Sequence, residues 1–167
     1  MKNIILTTLV LLFSISCKAQ LNNLNEKELF DGIKFNNISL GSIMESSGNL
    51  AQMRSYFGNT IQERANDTAP YLAKFLLNNN ISFGFEDETD TGNNYDLTFV
   101  RVINSSVNVN VKGLSIKIGD SKSKFDNFLY NEIDRSYNFT DADTGSIGLS
   151  FKIDNSNNVS AIKLICY

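Results

Sequence analysis

The sequence has no histidine, no tryptophan, two cysteines and one proline in 167 residues. Lacking histidine, it lacks the side chain that most often acts as a general base near neutral pH and most often ligates zinc. Cys17 and Cys166 alone cannot build a thiolate metal cluster, and no cofactor is expected. Lys and Arg number 15 against 18 Asp and Glu. They form no stripe of the kind that neutralises a phosphate backbone, so nucleic acid is not an expected partner. The apolar run from Ile4 to Ile15 is twelve residues long, short of the roughly twenty that a membrane-spanning helix needs.

What is present is enough for one core. A chain 42% hydrophobic and 11% aromatic can fill one interior, or two halves sharing a sheet, but hardly two independent domains. Asparagine is abundant, as at Asn78 to Asn80 and at Asn155, Asn157 and Asn158, and gives a polar, uncharged surface. So Asn-rich a chain produces Asn-x-Ser/Thr matches such as Asn66 and Asn138 by chance.

Lys2 followed by the run from Ile4 to Ile15 has the form of an export signal. The run meets Ser14-Ile15-Ser16-Cys17, which resembles the lipobox of bacterial lipoproteins, in which the cysteine is lipidated and becomes the new N-terminus. The resemblance implies a signal peptide over 1–17, a lipid anchor on Cys17, and, from Lys18 with no acidic cluster behind it, an outer-membrane lipoprotein facing the periplasm. The alternative is ordinary cleavage after Lys18-Ala19-Gln20, which releases a soluble secreted protein. Removing 1–17 takes away Lys2 and no acid, leaving 14 basic against 18 acidic residues and a formal charge of −4.

Residues 18–31 read as a tether and short helix, with Asn25 and Glu28 spaced as a capping box. Residues 32–167 read as a single α+β domain. Ile33 to Leu40 suggests a strand with a bulge at Asn36-Asn37, closed by Gly41. Leu50, Met53, Tyr56 and Phe57 form a helical stripe ending at Gly58. The sequence predicts a second helix from Asp67 or Thr68, with Pro70 in its first turn and Tyr71, Leu72, Phe75 and Leu76 buried. Strands follow at Ile81 to Phe85, Leu97 to Val102, Val107 to Val111 and Leu114 to Ile118. Gly119 and Asp120 or Ser121 then introduce a predicted helix with Phe125, Phe128, Leu129 and Ile133 on one face. Tyr137 and Phe139 begin an extended run, and strands at Leu149 to Ile153 and Val159 to Tyr167 close the chain.

FEDETDTGNNYDLTFVRVINSSVNVNV and FTDADTGSIGLSFKIDNSNNVSAIKL share Phe85 with Phe139, Asp90-Thr91-Gly92 with Asp143-Thr144-Gly145, and Phe99 with Phe151. This suggests an antiparallel sheet with helices on one face, built from two tandem βα(α)ββ repeats at about 33–112 and 113–167. The order strand, glycine, helix and a closing LSFKID…VSAIKL strand pair over residues 114 to 167 resembles the outer-membrane assembly lipoprotein family and the beta-lactamase inhibitory proteins. The resemblance implies a non-enzymatic protein that presents a sheet face or loops to another envelope or secreted protein.

Two Asp-Thr-Gly tripeptides also invite comparison with aspartic proteases, whose paired carboxylates share a proton. Here the tripeptides follow Glu86-Asp87-Glu88-Thr89 and Asp141-Ala142, polar contexts in which a carboxylate makes turn hydrogen bonds. Glu86, Asp87, Asp90, Asp141 and Asp143 offer hard oxygens for calcium. With Gly92 at the sixth position of an EF-hand loop, however, Thr98 stands where the template needs a bidentate Glu. A calcium-dependent or carboxylate-based site at these loops is the alternative to partner binding. Lys112, Lys117, Lys122 and Lys124 form a basic cluster that reads first as solvated surface charge.

Overall fold

A computed structural model describes residues 22–66, 72–87, 89, 91–92 and 94–167. The expected signal segment, Cys17, Gln20 and Asp90 lie outside the described residues. Among the described residues no helix is long and apolar enough to cross a membrane.

The fold is α+β and mostly antiparallel sheet. Its strands are β1 (Asn23–Leu24), β2 (Lys34–Phe35), β3 (Ile38–Ser39), β4 (Gln62–Asn66), β5 (Leu72–Leu77), β6 (Ile81–Asp87) and β7 (Asp96–Val102). They continue as β8 (Val109–Val111), β9 (Leu114–Ile116), β10 (Tyr130–Asn131), β11 (Ser136–Asp141), β12 (Ile147–Ile153) and β13 (Val159–Cys166). The large sheet has the order β1-β11-β12-β13-β7-β6-β5-β4, with β10 also on β11, and a small sheet has the order β3-β2-β8-β9. Among the described residues only β1 pairs in parallel, on β11, within the stretch read as a tether.

One face of the large sheet carries the core. Along β12 the alternation puts Ile147, Leu149, Phe151 and Ile153 inside, and β6 does the same with Ile81, Phe83 and Phe85. Two short helices, Leu40–Glu45 and Leu50–Phe57, serve this face. Phe57 lies 4.9 Å from Phe83 between ring centroids, and Gly48 sits against the ring of Phe85. At the other end Phe125 stacks on Tyr137 at 4.3 Å and tilts onto Phe151 at 5.2 Å. Full burial of each such ring contributes on the order of 1.5–3 kcal/mol.

Several predicted elements form as expected. Asn25 and Glu28 exchange reciprocal cap hydrogen bonds of 3.0 and 2.9 Å. Asn49 accepts from the Gln52 N–H at the start of its helix, and Gly58 ends that helix at φ 93°.

Other elements are corrected. The irregularity at Asn36-Asn37 is a two-residue hairpin turn with φ 49° and 71°, the left-handed pair that tight hairpins require. Gly41 closes no strand, because Ser39 accepts from the Ser42 N–H and starts a helix there. The predicted second helix starts at Asp67 or Thr68 and includes Pro70 and Tyr71, which lie outside the described residues; its described part, from Leu72 on, is strand β5, paired with β4 and β6. Leu76 pairs with Phe83 toward the core while Phe75 pairs with Gly84 on the other face, and a strand apolar on both faces imitates a helical stripe.

The predicted helix after Ser121 shrinks to a 3₁₀ turn, Lys122–Phe125. The Asn22 side chain accepts from the Leu129 N–H and donates to the Leu129 carbonyl, which draws the chain out into β10. Leu129 is left 41% exposed and Ile133 94% exposed. The segments after Ser39 and after Ser121 are thus built differently, and β8 lies in the small sheet while β13 lies in the large one.

Candidate functional site

The acidic hairpin tips hold the carboxylates that the sequence singles out. Asp87 ends β6 fully buried. Its Oδ1 accepts from the Thr89 N–H at 2.9 Å and the Thr89 hydroxyl at 2.6 Å, and its Oδ2 accepts from the Gly92 N–H at 2.7 Å and the Thr91 hydroxyl at 3.3 Å. The Thr89 hydroxyl leads these donors in holding the carboxyl down to about 2, since hydrogen bonds to the charged form favour it. Asp141 ends β11 in the same manner, accepting from the Asp143 N–H and the hydroxyls of Thr144 and Ser146. Thr144 foremost lowers its pKa. Asp143 is exposed in the loop, and Glu86 faces Asp96 across β6 and β7.

These carboxylates anchor their own loops. Both loops leave the same end of the large sheet, but β6 and β11 are four strand spacings apart in its order, about 19 Å at ~4.8 Å each. A proton-sharing pair needs roughly 3 Å. Among the described residues no three acidic or thiol groups converge where a metal ion could sit.

The lysine cluster is also spent locally. Lys112 pairs with Glu28 at 3.0 Å, Lys124 with Asp120 at 2.8 Å, and Lys122 lies 3.4 Å over the Tyr130 ring. Cys166 is half-buried, and desolvation pushes its thiol up to about 11. It is therefore protonated at neutral pH and a poor nucleophile.

The remaining feature is the outer face of the large sheet, opposite the core. It carries a groove of about 700 Å³ lined in part by Arg101, Gly148, Lys152, Ala161, Lys163 and Ile165. The strand register arranges this face in rows. Lys152 opposes Ala161. In the next row Ser150, Lys163 and Arg101 stand side by side, and in the one after that Gly148, Ile165 and Phe99. Phe75 extends this third row with its ring 6.1 Å from that of Phe99.

Three cations thus sit together, and among the described residues no carboxylate side chain lines the groove. Among the described residues none of Arg101, Lys152 and Lys163 forms an ion pair or a side-chain hydrogen bond. Lys163 and Arg101 are direct cross-strand partners, an arrangement that destabilises a sheet.

Gly148 adds a second anomaly. It has no left-handed φ, and a Cβ there would meet nothing closer than Thr140 Cγ2 at 4.0 Å. Gly84 is different, since a Cβ there would come within 2.3 Å of the Phe99 ring, so packing explains that glycine. At Gly148 neither backbone nor packing asks for glycine, and its effect is to keep the groove floor low.

Sequence reasoning pointed to a sheet face in general but named none of these residues as a site. The usable signal was that the strands at 97–102, 149–153 and 159–166 each carry a cation at an outward position. Comparison of the chain with protein-family models, with curated proteins and with solved structures found no match.

Proposed function

We propose that the protein is a non-enzymatic cell-envelope lipoprotein that binds another protein through the open face of its large sheet. The class is that of an assembly factor, inhibitor or immunity protein. The observation that carries the reading is the exposed groove with three cations that no described residue pairs. The helices and the small sheet contribute buried residues to the same core, whereas polar, small and half-buried apolar side chains mix on the outer face, as in partner-binding surfaces. The lipobox-like Ser14-Ile15-Ser16-Cys17 supports placement in the envelope, and the resemblance to outer-membrane assembly lipoproteins and beta-lactamase inhibitory proteins supports a binding role. The matching strand ends Phe85-Glu86-Asp87 and Phe139-Thr140-Asp141, each with its carboxylate tied into the following loop, are the feature that favours two copies of one ancestral unit.

Two experiments test this. Replacing Cys17 by Ser should abolish acylation and release the protein from the membrane fraction; unchanged fractionation rejects the anchor. A photo-crosslinking residue placed at Ala161, in the groove, should give a discrete adduct in intact cells, and one at Ser115 on the small sheet should not. Equal labelling from both positions rejects the open face as the binding surface.

A further inference from the structure

We propose that the groove takes an extended acidic segment of the partner, with the pattern acidic-x-acidic-x-apolar. The inference rests on the protein-binding reading above and specifies its chemistry.

Charge comes first. The chain as a whole is acidic, yet three cations gather on one concave surface, two of them directly opposed. Four other lysines have a carboxylate or an aromatic ring to rest on: Lys112, Lys124, Lys122 and Lys74. Arg101, Lys152 and Lys163 have no side-chain partner among the described residues, so carboxylates brought by a partner would meet cations with no bond to a described residue to break and would relieve their mutual repulsion.

Spacing comes second. Successive outward rows of an antiparallel sheet are two residues apart, about 6.8 Å, which is also the separation of same-face side chains along an extended peptide. A peptide laid along β13 therefore meets the Lys152 row, the Lys163 and Arg101 row, and the Ile165 and Phe99 row with its alternate residues. Two cationic rows followed by one apolar row read as acidic, acidic, apolar.

Shape comes third. The cations span three neighbouring strands, roughly 10 Å across, wider than a single phosphate or sulfate. The surface is concave, with Gly148 and Ala161 in its floor, which suits a chain lying in it and not a flat bilayer.

The test is selection of random octapeptides on the immobilised full chain, followed by affinity measurement of the winners. Enrichment of Asp or Glu two and four residues before Phe, Leu, Ile or Tyr is expected. Affinity should fall at least tenfold in Arg101→Glu/Lys163→Glu and by a smaller factor in Lys163→Gln, which preserves folding if the double variant does not. Filling the floor with Gly148→Leu should also abolish binding.

Winners without acidic enrichment, lost in Gly148→Leu but unchanged in the charge variants, overturn the acidic inference and leave the groove as a protein-binding site. No winner sensitive to Gly148→Leu, together with sedimentation of the chain by phosphatidylglycerol vesicles but not phosphatidylcholine vesicles, overturns both.

Discussion

Replacing Lys163 by Glu should make the isolated protein more stable. Lys163 and Arg101 are direct partners across β13 and β7, and both are exposed. Their Cβ atoms lie about 5 Å apart, as in any such pair, and the flexible stems let the charges separate to roughly 7 Å. Coulomb's law at that distance gives about 0.6 kcal/mol of repulsion at the dielectric of water and about 1.2 kcal/mol at half that value. Salt at 0.1 M, with a screening length of about 10 Å, removes about half. Reversing one charge converts repulsion into attraction and counts the term twice, and Lys152 on the diagonal adds a little more. The net expectation is a stabilisation of about 1 kcal/mol at low salt, or ~2–4 °C in Tm for a chain of this size. Lys163→Gln should give about half the effect. Urea denaturation at 20 mM and at 1 M NaCl measures it, and the gain should nearly vanish at 1 M, where the screening length is about 3 Å. A Lys163→Glu protein that is no more stable at low salt, or whose gain is indifferent to salt, would refute the unrelieved repulsion.

Gly84→Ala drives a methyl group into the Phe99 ring and should cost about 1–3 kcal/mol; Phe99→Leu in the same chain should recover part of that loss, read as non-additive denaturation midpoints. Phe125→Ala removes the ring between Tyr137 and Phe151 and should cost about 3–5 kcal/mol, with loss of the near-ultraviolet tyrosine signal before the strands melt. Asp87→Asn should lower Tm at neutral pH by loosening the β6–β7 loop. The Asp87 carboxyl titrates at about 2 in the folded protein against an ordinary 3.8. A depressed folded value means that its contribution is present above the unfolded pKa and is lost as pH falls through the folded one. The Tm difference between the two proteins should therefore shrink from about pH 4 to about pH 2; a constant difference down to pH 2 contradicts the assignment.

The strands at 81–85 and 149–153 were legible because each alternates over one buried face; those at 97–102 and 159–166 were legible as apolar-rich runs, although each carries an irregularity that buries Leu97 with Val100 and Val159 with Ile162 at a spacing of three. The alternation failed as a guide where both faces are apolar. Leu72, Phe75 and Leu76 sit at helical spacing, yet Phe75 serves the outer face beside Phe99 and Leu76 serves the core beside Phe83. Nothing local separates that pattern from a helix stripe; the pairing with β6 decides it. The segment after Ser121 departs from its helical spacing for a related reason. Its aromatic residues do reach the core, but through a single 3₁₀ turn, because Asn22, far away in sequence, satisfies the backbone of Leu129. A contact of that range has no signature in a local window.

Acidic residues near glycine carry a local signature in the sequence, whereas Arg101, Lys152 and Lys163 read there as ordinary outward-facing polar positions. What sets the groove apart is relational. Lys163 is unremarkable until the register places it against Arg101, and Gly148 until its φ and its open surroundings show that nothing there demands a glycine. Asp87, by contrast, has both oxygens committed to its own loop. A group whose bonds are all satisfied within the fold is explained by the fold. Arg101, Lys152 and Lys163 have no partner among the described residues, and that asymmetry is what favours the sheet over the loops as the proposed site.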